Sequence, residues 1–320
     1  MKKQFLLVVM AFALLSLSAF SADVTFNDSN LLEAVKAQYE AQVGVPLSDP
    51  PQDTELANSN FTTLDASYLG ITDLTGLEAC TSLVYLNLVS NAITDITPIS
   101  GLSNLVYLML GKNQITNITA ITGLTNLQYL DIGINQISDI SGLSLLTNLI
   151  GLNLGFGSFF LYDDFDPFIT GVNNLDNTDL AVLNSLTNLE ILSIGGLENI
   201  TDISFLNSLN NLKQLWLGSN PINDWTPLGS VDQNLNVFFS LNCGLTQTEV
   251  DNYVANMTNI TYIDEDNPGL IGLGLEGGIT DLSNLDGLNP SFAFFAGLDI
   301  SNIDVVQNWS NLYLIICAYT

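Results

Sequence analysis

Leucine and isoleucine recur along this chain at a fixed spacing, and that spacing predicts the fold. Three consecutive segments align without gaps at a period of 22 residues: TSLVYLNLVSNAITDITPISGL, SNLVYLMLGKNQITNITAITGL and TNLQYLDIGINQISDISGLSLL, which span 81–102, 103–124 and 125–146. Within each segment, apolar residues fall at positions 3, 6, 8, 13, 16, 19 and 22, and asparagine falls at position 11. Positions 6 and 8 alternate with 5 and 7, as in a short β-strand that buries one face. Such a strand buries that face only by stacking on copies of itself, so the pattern predicts a solenoid with one parallel sheet.

Looser copies extend the repeat over residues 61–320, with an insertion at 157–186. About eleven turns result, and at one strand spacing per turn they predict a rod ~50 Å long. Residues 22–60 precede the repeats and are expected to form a helical cap followed by a loop, because an open solenoid end exposes its core. The last copy, SNLYLIICAYT, repeats the strand half of the motif. No cap follows it, so we expect an edge that could pair with another chain.

The repeated string L-x-x-L-x-L-x-x-N-x-I-T-D-I, at a period of 22, resembles the internalin-type leucine-rich repeats of bacteria over roughly 61–320. The resemblance implies an α/β solenoid, a right-handed superhelix with the parallel sheet on its concave face and short turns or helices on its convex face. It also implies adhesion or partner recognition through the concave face.

The asparagine at position 11 is predicted to be structural. It stands where each strand turns away, and its amide can satisfy backbone groups that the turn would otherwise bury unpaired. The predicted ladder comprises Asn91, Asn113, Asn135 and Asn220, with Cys243 at the same position. Thr or Ser followed by Asp at positions 14 and 15 suits a second turn on the opposite side.

Two helices are predicted from capping boxes, which pair an N-cap residue with Glu three positions later. One begins with Asn30 as N-cap and Glu33 reaching back, buries Leu32, Val35, Tyr39 and Val43, and ends at Gly44. The segment 45–60 after it reads as a loop. The other begins at Thr246 with Glu249, and 178–186 is expected to form a further convex helix.

The three cysteines are predicted to be buried free thiols. Cys80 stands at position 22, Cys243 at position 11 and Cys317 at position 8, all sites that face the core. Cys80 and Cys243 are about seven turns apart, hence ~34 Å, whereas a disulfide requires Cα atoms within about 7 Å.

Residues 1–21 are predicted to be a secretory signal peptide. Lys2 and Lys3 precede an apolar stretch from Phe5 to Leu17, and Ala19-Phe20-Ser21 suits cleavage. The alternative, an uncleaved anchor, is disfavoured because a spanning helix needs about 20 apolar residues. We therefore expect a secreted protein, which could be periplasmic, extracellular or attached to the cell surface.

Composition excludes several functions. The chain has 320 residues, no His, no Arg and a formal net charge of −28. Without His there is no histidine-based catalytic pair or histidine metal ligand, and so acidic a chain repels nucleic acid. No enzyme activity and no cofactor are predicted. Clustered carboxylates at Asp163, Asp164 and Asp166, and again at 264–267, are weak calcium candidates, because neither has a calcium-loop pattern.

The concave positions 4, 5, 7, 9 and 10 carry few charges and many aromatic side chains, and they are the candidate recognition surface. The residues predicted to bind a partner are Tyr85, Tyr107, Met109, Tyr129, Asp131, Phe156, Lys213, Trp216 and Phe239. Aromatic faces can anchor a protein or a sugar ring. The alternative is that these side chains only stabilise the sheet through cross-strand pairs. Two functions follow: a secreted scaffold that binds a protein or polysaccharide, or a structural envelope protein that self-associates through its C-terminal edge.

Overall fold

The fold was examined in a computed structural model, which describes residues 21–156, 173–240, 243–257, 272–276, 282–285, 288, 292–296 and 314–318. The signal segment, both carboxylate clusters and the side chain of Cys317 lie outside the described residues, so the predictions about them remain predictions.

Eleven parallel strands form one sheet, and their order in the sheet is their order in the chain. The strands are β1 (Thr63–Asp65), β2 (Tyr85–Asn87), β3 (Tyr107–Met109), β4 (Tyr129–Asp131), β5 (Gly151–Asn153), β6 (Ile191–Ser193), β7 (Gln214–Trp216), β8 (Val237–Phe239), β9 (Gly272–Glu276), β10 (Phe292–Ala296) and β11 (Leu314–Ala318). Each turn of the chain thus adds one strand beside the previous one, which confirms the predicted solenoid.

The repeat period sets the register of the sheet. Leu86 pairs with Leu108, and Leu108 pairs with Leu130, so position 6 of each repeat stacks on the next. All three side chains are fully buried and belong to one continuous apolar core. Short 3-10 helices return the chain to the next strand; they are Leu77–Ala79, Thr97–Ile99, Thr119–Ile121, Ser141–Leu145, Asp179–Ser185, Ser204–Ser208, Thr226–Ser230, Asp232–Asn234, Val254–Asn256 and Ser283–Leu285.

The N-terminal cap is helix α1 (Ser29–Val43), which begins earlier than the sequence predicted. Asp28 is the N-cap, and its carboxylate accepts hydrogen bonds from the backbone N–H groups of Asn30 and Leu31 at 2.9 and 3.2 Å. The predicted Asn30 cap is wrong because Asp28, an equally good N-cap residue two positions earlier, also accepts from the Thr72 backbone N–H at 2.9 Å. The buried face accordingly contains Leu31 rather than Leu32. Gly44 ends the helix at φ 83°, as predicted.

Two further helices differ in how well the sequence revealed them. Helix α2 (Asp53–Leu56) lies in the segment predicted to be a loop, and the Glu55 side chain accepts from the Gln52 backbone N–H at 2.9 Å. Helix α3 (Gln247–Asn252) follows the predicted Thr246 capping box. The sequence did not reveal α2, because four residues with a single apolar turn are too few to show helical periodicity. The proline and aspartate residues around it are instead typical of a loop.

Candidate partner-binding surface

The concave side chains form two rows that differ in accessibility. We call positions 4 and 5 the outer row and position 7 the inner row. Outer-row side chains are half-buried or exposed, except at Gly151 and Val237. Inner-row side chains are buried from β3 to β8. The outer row comprises Val84, Tyr85, Val106, Tyr107, Gln128, Tyr129, Ile150, Gly151, Glu190, Ile191, Lys213, Gln214, Asn236 and Val237, and the inner row comprises Asn87, Met109, Asp131, Asn153, Ser193, Trp216 and Phe239.

Three tyrosines stack along the outer row. Strand register places Tyr85 beside Tyr107, and Tyr107 beside Tyr129. The Tyr107 and Tyr129 rings are parallel within 1°, with centroids 4.8 Å apart, while Tyr85 is tilted by 44° at 6.1 Å. Because the rings face one another along the sheet, the row presents ring edges and phenol oxygens to a partner rather than open ring faces.

The phenols of Tyr85 and Tyr129 remain protonated over the neutral pH range, because the pKa of each is raised above its usual value. Partial burial raises the pKa of Tyr85, and the charge of Asp65 adds to that increase. Burial also raises the pKa of Tyr129, helped by Tyr107 and Glu190 and opposed by Lys213. Both hydroxyl groups therefore keep a proton that can be donated in a hydrogen bond.

One ion pair crosses the outer row. Lys213 Nζ lies 2.9 Å from Glu190 Oε2, and the two side chains are 53% and 40% exposed. An exposed pair of this kind contributes little to stability. It does keep the outer row close to neutral on a strongly acidic chain, with one cation and one anion that can turn towards a partner.

The inner row is less accessible than the sequence predicted. Trp216 is 7% exposed and stacks on Phe239, which is 5% exposed, with rings parallel within 1° and centroids 6.0 Å apart. Met109 is 1% exposed, and Asp131 is fully buried. The expectation that these four side chains are accessible is wrong, because a strand's alternation gives the side on which a side chain lies and not how closely neighbouring side chains cover it. Their predicted role in partner binding remains a prediction.

The buried Asp131 belongs to a polar cluster at the centre of the inner row. Its Oδ1 accepts from the Gly133 backbone N–H at 2.9 Å and from Asn153 Nδ2 at 2.9 Å. The Asn153 Oδ1 accepts in turn from Gly155 N–H at 3.1 Å. A carboxylate buried in this way is tolerated because charge-assisted hydrogen bonds compensate for lost hydration.

Phe156, at position 10, is also buried, with 4% of its surface exposed. Its backbone forms an isolated bridge with Gly195, and its ring lies where a Cβ on Gly195 would otherwise stand. A Cβ on Gly155 would likewise overlap the carbonyl oxygen of Gly195. The two glycines allow the Phe156 ring to pack closely against the backbone, and the predicted role of Phe156 in partner binding remains a prediction.

The position-11 asparagines connect consecutive repeats. Asn113 Oδ1 accepts from Ile93 N–H at 3.0 Å, and its Nδ2 donates to Leu88 O at 2.9 Å and to Leu110 O at 3.0 Å. Asn91 and Asn135 make equivalent contacts. At the far end Cys243 Sγ donates to Ser240 O at 2.6 Å.

One member of this ladder, Asn173, was not predicted, and one predicted member, Asn220, makes incomplete contacts. Asn173, which lies inside the segment 157–186 predicted to be an insertion, accepts from Ile137 N–H at 3.0 Å and donates to Ile132 O at 3.0 Å. The insertion moves Asn173 off the 22-residue period, which concealed it. Asn220 donates to Ile194 O at 2.8 Å, but its buried Oδ1 has no hydrogen-bond partner among the described residues.

A second asparagine ladder, at position 2, went unpredicted. Each side chain donates from Nδ2 to the position-1 carbonyl of the preceding repeat at 2.9 to 3.0 Å. The members are Asn104, Asn126, Asn148, Asn188, Asn211 and Asn234. The signal was present as the recurrent S/T-N-L or N-N-L string, but an exposed asparagine is also an ordinary surface residue.

Among the residues that the structure describes there is neither a metal-binding cluster nor a membrane-spanning helix. Those residues hold no group of three or more Cys, Asp or Glu side chains arranged to bind a metal ion. The helices among them are all too short or too polar to cross a membrane.

The chain is similar to leucine-rich-repeat proteins of known structure. A family model described as "Leucine Rich repeats (2 copies)" matches residues 103–145 and 187–230. No curated protein matches the chain. An internalin (inlF) from Listeria monocytogenes is 31% identical, with 95% of this chain and 80% of the internalin covered at a TM-score of 0.68.

Two other solved structures share the fold at lower identity. An internalin C2 (inlC2) from Listeria monocytogenes is 24% identical, with 92% of this chain and 98% of that chain covered at a TM-score of 0.53. The plant peptide hormone receptor RGFR1, in complex with RGF2, is 16% identical, with 83% and 42% covered at a TM-score of 0.51.

Proposed function

Because the chain belongs to the internalin-like family of leucine-rich-repeat proteins, we propose that it is an exported scaffold that binds another protein through the outer row of its concave sheet. The proposal of export rests on the predicted signal peptide at residues 1–21. The fold is that of a protein-binding scaffold, and a broad open sheet lacks the enclosed cleft that catalysis generally requires.

The accessibility of the outer row carries this proposal. Half-exposed Val84, Val106, Ile150 and Ile191 accompany the three tyrosines along one line of the sheet. This mixture of apolar surface and protonated phenols suits the backbone and side chains of a protein segment. The ion pair between Glu190 and Lys213 adds a charged end to the same line.

The ring geometry favours a protein over a polysaccharide at this surface. A sugar ring binds an aromatic side chain through an open ring face, whereas Tyr107 and Tyr129 cover each other at a centroid distance of 4.8 Å. Trp216, the other candidate platform, has 7% of its surface exposed. Ring edges and hydroxyl groups are better matched by amide and apolar groups of a protein partner.

Affinity capture with three forms of the protein tests the proposal. Ile191→Asp places a charge in the outer row, and Leu145→Asp places the same charge on the convex side, where Leu145 is 60% exposed. We expect a protein partner to be captured by the wild type and by Leu145→Asp, and to be lost with Ile191→Asp. A partner retained by Ile191→Asp, or lost equally with both variants, would contradict the proposal.

A second candidate is the structural protein that self-associates through the sheet edge. Its supporting observation is that β11 pairs with β10 on one side and with no described strand on the other. An unprotected edge favours pairing with a further strand. Light scattering separates the two functions, since concentration-dependent oligomers support the second and a monomer at all concentrations supports the first.

A further inference from the structure

A depression of about 310 Å³ lies between two consecutive repeats, on the side where each chain turn carries its Thr-Asp pair. It lies among the turns that precede and begin two 3-10 helices, outside the outer row. Its lining is polar apart from the buried Ile118, and comprises Thr116, Asn117, Ile118, Thr119, Thr122, Asp139, Ser141 and Gly142. A volume near 300 Å³ is at the small end of the range for small-molecule sites.

The depression coincides with a departure from the repeat pattern. In the turns of this side, a side-chain oxygen accepts from the backbone N–H two residues later, and the acceptor is Asp73, Asp95, Asp139, Asp176, Asp202 or Asp224. At one position the acceptor is neutral: Asn117 Oδ1 accepts from Thr119 N–H at 2.8 Å. The turn is thus preserved while a negative charge is replaced by an amide donor.

That replacement gives the depression hydrogen-bonding groups of both kinds. The Asn117 Nδ2 has no partner among the described residues, so both of its hydrogens can be donated to a ligand. Asp139 supplies an acceptor that stays ionised, because hydrogen bonds from the backbone and side chain of Ser141 lower the pKa of its carboxyl. The hydroxyl groups of Thr116 and Thr119 can donate or accept.

Gly142 allows the two repeats to approach each other closely beside the depression. A Cβ at this residue would overlap the methyl carbon of Thr122 in the preceding repeat. The two repeats therefore approach closely at the rim while leaving the space beside Asn117 and Asp139 unfilled.

The donor set does not suit a metal ion. Calcium requires six to eight oxygen ligands, several of them carboxylate oxygens. The depression contains one carboxylate, that of Asp139. At the equivalent turn position of the preceding repeat the side chain is an amide, that of Asn117. A neutral ligand whose hydroxyl groups can both donate and accept hydrogen bonds matches this lining better.

We propose that the depression binds a single neutral pyranose unit, either free or at the end of a glycan. Asn117 Nδ2 donates to one ring hydroxyl, Asp139 accepts from another, and the hydroxyl groups of Thr116 and Thr119 can pair with further ring hydroxyls. This site is separate from the outer row, so it stands or falls independently of the protein partner.

Titration of the isotope-labelled full chain, followed by amide NMR, tests the site. The probes are glucose, galactose, mannose and N-acetylglucosamine, the N-acetylglucosamine disaccharide and, separately, calcium chloride. Asn117→Asp is the diagnostic variant, because aspartate occupies the same turn position in neighbouring repeats and preserves the fold. Asp95→Asn is its matched control, being the same exchange in reverse, one repeat away and outside the depression.

We expect at least one sugar to shift the amides of 116–119 and 139–142. Asn117→Asp should weaken that binding about tenfold or more, since a donor becomes a charged acceptor, and Asp95→Asn should leave it unchanged. Stronger binding of the disaccharide than of the monosaccharide would assign the end of a glycan, and equal binding would assign the free sugar. The proposal is overturned if no sugar shifts these amides, if Asn117→Asp binds as well as the wild type, or if calcium alone shifts the same amides.

Discussion

The side chain of Gln42 in α1 pairs with Thr63 in β1 as the backbone of an adjacent strand would. Its Nε2 donates to Thr63 O at 2.7 Å, and its Oε1 accepts from Thr63 N–H at 3.1 Å. One turn earlier, Gln38 makes the same pair of contacts with the backbone of Asp65, its Oε1 accepting at 2.9 Å. Two glutamines four residues apart therefore occupy the edge of the sheet, where an open strand would invite aggregation.

Removing this side-chain pairing should loosen the N-terminal edge. Gln42→Ala is expected to lower the free energy of unfolding by about 1 kcal/mol, because the Thr62 N–H, the Thr63 N–H and the Thr63 carbonyl lose their partner but regain water. Hydrogen exchange at Thr62 and Thr63 should accelerate in the same variant. Glu40→Ala, on the exposed side of the same helix, is the control, and an equal effect there would attribute the change to the helix rather than to the edge.

Asn113 should be among the most sensitive polar positions of the core. It is 9% exposed and satisfies one backbone N–H and three backbone carbonyls. Asn113→Ala is therefore expected to cost about 3 kcal/mol or more, as buried groups are left without partners. Asn104→Ala removes one exposed hydrogen bond to Thr81 O and should cost about 1 kcal/mol or less. Chemical denaturation of both variants provides the comparison, and similar losses would show that burial is not the cause.

Trp216 is expected to contribute mainly to the stability of the fold. Its ring is buried against Phe239, so Trp216→Ala should lower the free energy of unfolding by about 3 kcal/mol, the lower end for buried aromatic residues. Tyr107→Phe keeps the ring stack and removes one hydroxyl, so it should change stability little. Thermal unfolding measures both, and an unchanged melting temperature for Trp216→Ala would indicate that the ring is accessible after all.

The turn aspartates should make stability fall in acid. Hydrogen bonds from the Thr97 hydroxyl and backbone hold the pKa of Asp95 below its usual value. A carboxyl whose pKa is lowered in the folded state stabilises the fold above its unfolded pKa of about 3.9, and this contribution is lost as the pH falls through the folded pKa. The melting temperature of the wild type should exceed that of Asp95→Asn most at neutral pH. The difference should shrink between about pH 5 and pH 2, and a constant difference would exclude this titration.

The buried cysteines should resist alkylation until the protein unfolds. Burial, together with the nearby charge of Glu78, raises the pKa of the Cys80 thiol to about 12. At pH 8 only about 10⁻⁴ of it is thiolate, the reactive form. Peptide mapping after iodoacetamide treatment should show unmodified Cys80 and Cys243 in the native protein and full modification in denaturant. Rapid modification of native Cys80 would show that its repeat opens.

The fold was readable because its signal is repeated. Each copy of the leucine pattern predicts the same strand register. The sequence alone therefore places Leu86, Leu108 and Leu130 in one stack, as the structure confirms. Features that occur only once in the chain, such as the N-cap of α1, are harder to predict from the sequence. Asp28 and Asn30 are both good N-cap residues, and the choice between them depends on the Thr72 backbone N–H, which also donates to Asp28 at 2.9 Å from a distant part of the chain.

The sequence predicted which residues lie on the candidate surface but not how far each side chain is buried. Alternation places Tyr107 and Met109 on the same side of β3, yet one is half-buried and the other has 1% of its surface exposed. Met109 lies beside the buried Asp131 of the next repeat, and such a neighbour is not revealed by a single repeat. The replacement of Asp by Asn117 was visible in the sequence, but it gained meaning only when Gly142 and Asp139 were seen beside it.

Asn173 rejoins the ladder although it follows Asn135 by 173 − 135 = 38 residues, which is 16 more than one period. Its bond to Ile137 N–H has the same 3.0 Å length as the bond from Asn135 to Ile115 N–H. The stack therefore keeps its phase across the added segment. This point of the chain could therefore accept loops of different length and sequence, introduced by evolution or by design. The repeats on either side would not need to change.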